Sequence, residues 1–155
     1  MRPNEDGSVV DGQTGLPGPG GWEAVLEAEE LRARRHGGRH GLIRIVLRQP
    51  RIDAALAEKV AALLADSLRE VDFLARLDDR EFGILALHCD SLEAVTARLR
   101  QALGGTVPSV PAVISARTAG GDLRAVWTQL ETGARPEHSG MPYAEFVACT
   151  QPCLN

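Results

Sequence analysis

The sequence has no apolar run close to the ~20 residues that a helix needs to cross a bilayer, and residues 1–6 lack the hydrophobic core of a signal peptide. These absences predict a cytoplasmic protein that does not enter a membrane. Cysteine is also scarce, and the three that are present, an odd number, fit a reducing compartment. Cys149 and Cys153 have no second pair of ligands to match them, which argues against a zinc site.

Lysine is almost absent, and Lys59 is the only lysine among the 17 basic residues. The net charge of -4 argues against a broad nucleic-acid-binding surface, since such a surface normally makes a domain basic. An apolar content of 44% and a charged content of 25% are typical of a globular protein. The length of 155 residues fits one domain with a core of its own.

The N-terminal part is poor in helix and strand patterns. Residues 1–10 are polar and predict a flexible N-terminus, and residues 11–21 are too rich in glycine and proline for regular structure. Taken alone, the second stretch is either a flexible leader or a loop that cradles phosphate. It lacks the Gly-Lys-Ser/Thr ending of a P-loop, which leaves the phosphate interpretation weakly supported.

Apolar residues recur at helical spacing in four segments, and the predicted helices are residues 22–35, 53–68, 91–103 and 122–131. Asp53 is the expected N-cap of the second helix. Asp90 and Glu93 have the spacing of a capping box for the third helix, and Gly104-Gly105 is its expected end. The tail, residues 134–155, predicts little beyond one short helix at 141–148.

Residues 71–87 carry the pattern of a β-hairpin. Apolar residues occupy every second position of the first arm, from Val71 to Leu77, and a second apolar arm follows the charged residues 78–81. Two more strands are predicted, at 42–47 and 112–116. The resulting order contains βαββαβ, which predicts an α+β fold with an antiparallel sheet and helices on one face.

The hairpin contains Arg69-x-x-Asp72, then Arg76 and a hydrophobic residue, then the five-residue turn Asp78-Asp79-Arg80-Glu81-Phe82. This order resembles the signature hairpin of the GGDEF family of diguanylate cyclases, whose turn reads Gly-Gly-Asp/Glu-Glu-Phe. Only Glu81 and Phe82 keep the family's residues. The chain is therefore identified as a degenerate relative of that family.

A second motif supports the resemblance. Asp11-x-x-Thr14-Gly15-Leu16-Pro17 is similar to the Asp-x-Leu-Thr-Gly-Leu-x-Asn-Arg motif of GGDEF domains, with Gly18-Pro19 in place of its Asn-Arg. The resemblance implies a ferredoxin-like core of the nucleotide-cyclase palm type over residues 11–133. We find no second domain and no repeat in the sequence.

The family joins two GTP molecules into cyclic di-GMP by metal-assisted phosphoryl transfer. Here Asp78 and Asp79 replace the glycines that lie against the triphosphate, and Arg80 replaces the acidic metal ligand. Residues 47–50 replace the family's Asp-x-Asp, and the following guanine-reading segment is about ten residues short. These losses predict a catalytically inactive domain without catalytic residues, metal or cofactor. Magnesium is expected only if residual GTP chemistry survives.

One functional motif of the family is retained. Arg69-x-x-Asp72 has the spacing of the product-binding site of GGDEF enzymes, in which arginine binds guanine or phosphate and aspartate accepts from guanine. The resemblance thus implies a regulatory module that is a receptor for cyclic di-GMP. In the structural interpretation, Arg69 ends a helix and Asp72 starts a strand and pairs with Arg76. The module then binds no nucleotide and acts through another protein or through self-association, and residual cyclase or GTP binding is the third hypothesis.

Three further groups of residues have two interpretations each. The basic cluster Arg32, Arg34, Arg35, His36, Arg39 and His40 is either a phosphate site or a solvated helix end, and the second is favoured. Asp78, Asp79 and Glu81 are a metal site or, as we favour, a solvated turn. His88 and Cys89 lack a third residue to orient them, so we reject a catalytic triad.

Overall fold

The computed structural model describes residues 10–106 and 110–133. Its elements are α1 (Pro19–His36), β1 (His40–Leu47), α2 (Ala54–Asp66), β2 (Phe73–Asp78), β3 (Glu81–Ala86), α3 (Leu92–Thr106), β4 (Ala112–Ala119) and α4 (Leu123–Thr132). All strand pairs are antiparallel, in the order β2-β3-β1-β4. This arrangement confirms the predicted α+β fold with a βαββαβ core. The predicted flexible N-terminus up to residue 9, the helix at 141–148, Cys149 and Cys153 lie outside the described residues.

Helices cover both faces of the sheet, so the expectation of helices on one face is wrong. Ile43 and Ile45 of β1 belong to a core with α2 and α3, whereas Leu42 packs in a second core with α1 and α4. The reason lies in β1 itself, most of whose residues are buried on either face of the sheet. A strand of that kind needs a covering layer on each face. Among the described helices, none is long and apolar enough to cross a bilayer.

The first helix starts earlier than its sequence indicates. Pro19, Gly20 and Gly21 were assigned to an irregular stretch, but they form the first turn of α1. Proline is tolerated there because its missing N–H has no helical acceptor in the first turn. The helix ends at His36, one residue beyond the predicted end, and its C-cap is Gly37, whose φ of 81° is a conformation that glycine adopts at low cost.

The observed caps of α2 and α3 agree only in part with those predicted from the sequence. Asp53 caps α2 as predicted and accepts a hydrogen bond from the backbone N of Leu56 at 2.8 Å. At α3, however, the cap is Ser91, whose Oγ accepts from the Ala94 N–H at 3.2 Å, and the Asp90/Glu93 capping box was wrong. That helix also passes through the two glycines and ends at Thr106, because glycine lowers helix stability without forbidding it.

A buried carboxylate joins α1 to α4. Glu30 of α1 accepts hydrogen bonds from the backbone N and the Nη2 of Arg124, at 2.8 and 2.7 Å. Arg34 adds a contact of 3.2 Å to the same carboxylate. Hydrogen bonds from Arg124 hold the pKa of Glu30 below its ordinary value, against the burial that would raise it. Glu30 therefore supplies an N-terminal cap to α4 from a different helix.

Trp22 is the centre of the core that α1 and α4 form. The side chain is 1% exposed, and its ring lies 4.9 Å from that of Trp127 and 6.1 Å from that of Phe73. It lies flat against Gly83 of β3, where a Cβ would come within 2.9 Å of the indole. The indole Nε1 has no acceptor among the described residues. The strand thus needs glycine at this position, because any side chain would collide with the tryptophan.

Candidate functional site

The charged turn between β2 and β3 is shorter than its sequence suggests. Asp79 and Arg80 form the tip, while Asp78 and Glu81 are already paired as strand residues. The Asp78 Oδ1 accepts from the Arg80 N–H at 2.8 Å and closes the turn. The predicted five-residue turn is therefore a two-residue one. Phe82 is fully buried in the core under α2 and α3, so it is a structural residue.

A cleft of about 620 Å³ lies beside this turn. It is lined by Pro50, Arg51, Ile52, Asp53, Asp78, Asp79 and Arg80. Residues 48–53 form the whole connection from β1 to α2, which limits how much of a ligand this side of the cleft can surround. Within the described chain, no three His, Cys, Asp or Glu side chains come together in a way that could hold a metal ion. The cleft has mixed charge, with arginines among its aspartates.

Glu81 is not free to act in the cleft. Its Oε2 accepts a hydrogen bond from the Nε of Arg44 at 2.6 Å, and both side chains are largely shielded from water. Arg44 projects from β1 opposite β3, so the strand register brings the two charges together. An arginine in this position neutralises the carboxylate and occupies one of its oxygen atoms.

Arg76 joins the two motifs that the sequence singled out. Its side chain is 3% exposed, and its Nη1 donates to the Asp11 carboxylate at 3.1 Å and to Gln13 Oε1 at 2.7 Å. Its Nη2 donates to the backbone oxygen of Asp79 at 2.9 Å. The backbone N of Arg76 also donates to Pro17 O, at 2.9 Å. The loop at residues 11–17 is therefore attached to the β2–β3 turn by one buried guanidinium.

Asp11 organises its own loop as well. The carboxylate accepts from both the backbone N and the Oγ1 of Thr14, each at 2.8 Å. Burial alone would raise the pKa of Asp11, but the hydrogen bonds from Thr14 and Arg76 outweigh it and the pKa lies below its ordinary value. A lowered pKa means that Asp11 is ionised at neutral pH and attracts the guanidinium.

Arg69 and Asp72 pair with each other in the connection from α2 to β2. The Asp72 carboxylate accepts from the Arg69 Nη2 at 2.8 Å and from the Arg69 backbone N at 2.9 Å. The aspartate side chain is 1% exposed, whereas that of Arg69 is 49% exposed. The Arg69 Nη2 also donates to Leu87 O at 2.5 Å. The suggested pairing of Asp72 with Arg76 is wrong, because Arg76 points to Asp11 instead.

Comparisons with known proteins identify the fold. No protein-family model matches the sequence, and no curated protein matches it. Solved structures do match. A sensory box/GGDEF family protein of Caulobacter crescentus is 23% identical, with a TM-score of 0.67 over 84% of this chain and 99% of that one. The GGDEF domain of DgcB from the same species is 14% identical, with a TM-score of 0.64 over 81% and 91%. The diguanylate cyclase SiaD of Pseudomonas aeruginosa is 19% identical, with a TM-score of 0.64 over 84% of this chain and 61% of its own.

The chain has the fold of a GGDEF domain. This confirms the predicted resemblance at the level of the fold, including the nucleotide-cyclase palm arrangement of helices and strands. In this fold, the turn at residues 78–80 and the β1–α2 connection line the same cleft. The Arg69–Asp72 pair lies apart from that cleft, beside the turn that follows β3.

The basic cluster of α1 is dispersed among acceptors of the protein itself. Arg32 pairs with Glu29 at 2.8 Å, and the Arg34 Nε donates to Gly121 O at 2.9 Å. His40 is 2% exposed and belongs to β1. The contacts of Arg32 and Arg34 favour the solvated helix end over a phosphate site, whereas the buried His40 is not part of a solvated helix end.

His88 and Cys89 lie in the turn after β3 and not at the end of the strand. Burial raises the pKa of the Cys89 thiol, the opposite of what activates a cysteine nucleophile. This direction agrees with the rejection of a triad.

Two residues of the site were not singled out from the sequence. Arg44 interrupts the apolar run of the strand predicted at 42–47, and this interruption is the available signal, because a charge inside such a strand needs a partner on its neighbour. Gln13, which accepts from Arg76, has no signal in the sequence, since it stands 63 residues away from its donor.

Proposed function

We propose that this chain is a catalytically inactive GGDEF domain that acts as a regulatory binding module. Arg80 stands at the acidic position of the signature turn, and Arg44 neutralises the retained Glu81. The short connection at residues 48–53 carries two arginines and a single carboxylate, which already caps α2. Phosphoryl transfer by two metal ions needs oxygen ligands that are free to bind them.

We expect no cyclic di-GMP to form from GTP and magnesium. The same result is expected for the variant Asp78→Gly/Asp79→Gly/Arg80→Asp, because Arg44 still binds Glu81 and no carboxylate stands at the end of β1. The measurement is chromatography of the nucleotides after long incubation. Formation of cyclic di-GMP by the wild-type chain would contradict the proposed inactivity. Its formation by the triple variant but not by the wild type would show that the substitutions in the turn alone account for the loss of cyclase activity.

The ligand that we propose is cyclic di-GMP, bound through Arg69. The observation that carries this proposal is the state of the guanidinium, which is fixed by Asp72 and Leu87 O but remains 49% exposed. A fixed and exposed guanidinium can bind guanine or phosphate without first losing its own freedom. The similar DgcB domain was solved in complex with cyclic di-GMP.

Asp72 has a different role in this proposal from the one its motif implies. Because its carboxylate is enclosed and holds Arg69, it orients the arginine and does not itself contact guanine. The hydrogen bond that Arg69 donates to the Asp72 carboxylate also raises the pKa of Arg69, which keeps the guanidinium charged. The charge available to a ligand is therefore that of Arg69.

Isothermal titration with cyclic di-GMP tests the receptor, with GTP plus magnesium as the parallel titrant. Arg69→Ala is expected to weaken binding about ten- to a hundredfold, since hydrogen bonds from a charged group are lost. Arg98→Ala is the matched control, because Arg98 is a nearby exposed arginine that donates to a backbone oxygen, that of Ser67, at 3.1 Å. Equal affinities of the two variants would show that Arg69 does not bind the ligand.

The second candidate is a protein-interaction module that binds no nucleotide. It is favoured by the enclosure of Asp72, which removes one of the two groups of the motif from a ligand. The similar cyclase SiaD was solved in complex with its activator SiaC, so a GGDEF protein can bind a protein partner. If the wild-type chain binds neither cyclic di-GMP nor GTP, the result supports this candidate and contradicts the receptor hypothesis.

A further inference from the structure

The turn that positions Arg69 is attached to the start of β1. Residues 87–91 connect β3 to α3, and the first three of them form the turn whose Leu87 O accepts the hydrogen bond from Arg69. The backbone N of His88 donates to the Nδ1 of His40 at 2.9 Å, and the backbone N of Cys89 donates to Arg39 O at 3.2 Å. Two hydrogen bonds thus hold the turn against β1.

The conformation of this turn depends on such support. His88 has a φ of 47°, and it is the one non-glycine residue with a positive φ among the described residues. A residue with a Cβ in the left-handed region is strained unless its surroundings fix it. Its imidazole packs edge to face against that of His40, with 5.0 Å between the ring centres. His40 therefore supports the turn through both its ring face and its Nδ1.

The hydrogen bond to Nδ1 requires a neutral His40. Nδ1 accepts the His88 N–H through its lone pair, so the proton of the neutral ring is on Nε2. A second proton can only bind at Nδ1, which then becomes a donor and faces another donor. Protonation thus removes the acceptor that fixes the strained residue.

The imidazole of His40 borders a cavity of about 290 Å³. Glu29, Arg32 and His36 line the cavity from α1, and His88 lines it from the turn. Burial lowers the pKa of His40, and repulsion by His88 and Arg32 lowers it further, against the attraction of Glu29. The half-buried Cys89 has a raised pKa and stays a neutral thiol in this pH range.

We propose that His40 is a positioning residue for Arg69: the neutral imidazole fixes the turn at residues 87–89, and proton uptake at its Nδ1 releases that turn. Leu87 O then loses its fixed place, and Arg69 loses one of the groups that orient it. Acidification therefore weakens the binding site on Arg69. The part that concerns ligand affinity rests on the proposed function, whereas the release of the turn does not.

The sign of the pH dependence follows from the lowered pKa. Between the ordinary value of 6.5 and the lower folded value, the unfolded chain binds more protons at this residue than the folded chain does. The stability that neutral His40 contributes is therefore complete above about pH 6.5 and decreases as the pH falls through that range. The turn is the first place where this loss is expected.

Amide hydrogen exchange without nucleotide tests the release of the turn. After correction for intrinsic exchange, protection of the His88 amide is expected to fall as the pH decreases below about 6.5, by at most about tenfold per pH unit. In His40→Asn the profile is expected to be flat, because Asn offers an oxygen near the position of Nδ1 but binds no proton. His36→Asn is the matched control, since His36 lines the same cavity, and it keeps the wild-type profile.

A flat wild-type profile, or parallel profiles of the wild type and His40→Asn, overturns the proposal. If His40→Asn does not fold, NMR titration of the wild type decides instead. The His88 amide shift must then follow the same titration curve as the His40 ring, and two separate curves overturn the proposal.

Titration with cyclic di-GMP separates this inference from the proposed function. Wild-type affinity is expected to fall up to about tenfold between neutral pH and about pH 5, and that of His40→Asn to stay constant. Absence of binding at every pH, with the expected exchange profiles, refutes the receptor and leaves the release of the turn supported. Binding whose pH dependence is the same in both proteins refutes the role of His40 in positioning Arg69.

Discussion

Replacing Trp22 by alanine is expected to lower the free energy of unfolding by about 3–5 kcal/mol. The side chain is almost fully buried between Gly83, Phe73 and Trp127. Removing it leaves a cavity against a glycine, which has no side chain to fill the space. The strand cannot move inward without breaking its pairing with β1 and β2, so little collapse is expected. The measurement is equilibrium unfolding in urea.

Trp22→Phe is the matched control. It keeps an aromatic ring against Gly83 and removes the indole N–H, which has no acceptor among the described residues. The lost volume costs stability, but the removal of an unpaired buried donor offsets part of that cost. We expect a loss under about 1.5 kcal/mol. A loss similar to that of Trp22→Ala would show that the indole nitrogen has a partner in solution.

The second large effect is expected at Arg76. Arg76→Met keeps most of the aliphatic volume but removes the hydrogen bonds to Asp11, Gln13 and Asp79. Loss of one partner of a buried ion pair is expected to cost about 3 kcal/mol, the lower end of the usual range, because Asp11 is 22% exposed and keeps Thr14. Urea unfolding measures the loss. Limited proteolysis between residues 11 and 17 measures the release of the loop.

A double-mutant cycle isolates the ion pair. Arg76→Met and Asp11→Asn are expected to couple by about 1–3 kcal/mol, since each variant alone already breaks the same contact. Additive effects would mean that Arg76 acts through Gln13 and Asp79 alone.

The pH dependence of stability gives an independent test of the same pair. The folded pKa of Asp11 lies below the ordinary value of 3.8, so its contribution is complete above that value and is lost as the pH falls through the folded pKa. In Arg76→Met this acid-dependent part is expected to shrink. An unchanged acid profile would assign the lowered pKa to Thr14 and not to the guanidinium.

Much of the fold follows from local sequence. Asp53 caps α2, Gly37 and Gly133 end their helices, and the alternating apolar residues of the hairpin form paired strands. Each of these features depends on residues within a few positions of one another. The errors lie where local signals compete, as at α3, where Ser91 caps in place of Asp90.

The candidate site could be predicted from the sequence less completely than the fold. The motifs at residues 11–17 and 69–82 were both visible in the sequence, and the fold places them together. Their partners were not visible. Asp72 was paired with the wrong arginine, because both Arg69 and Arg76 stand within reach along the chain and only the turn before β2 selects one. The retained Glu81 was considered as a metal ligand, but the register of β1 against β3 places it beside Arg44, with which it forms an ion pair.

The sequence by itself determined the order of the elements, the N-cap of α2, the glycine that ends α4 and the residues of both motifs, because caps and helical and strand periodicities are local properties of the chain. The tertiary structure alone decided which charges meet. Asp11 binds Arg76 across 65 positions, and Arg44 binds Glu81 across 37. Contacts of this kind depend on strand register and on the way helices cover both faces of the sheet. No pattern within a few residues specifies those, since they are set only when the whole core packs.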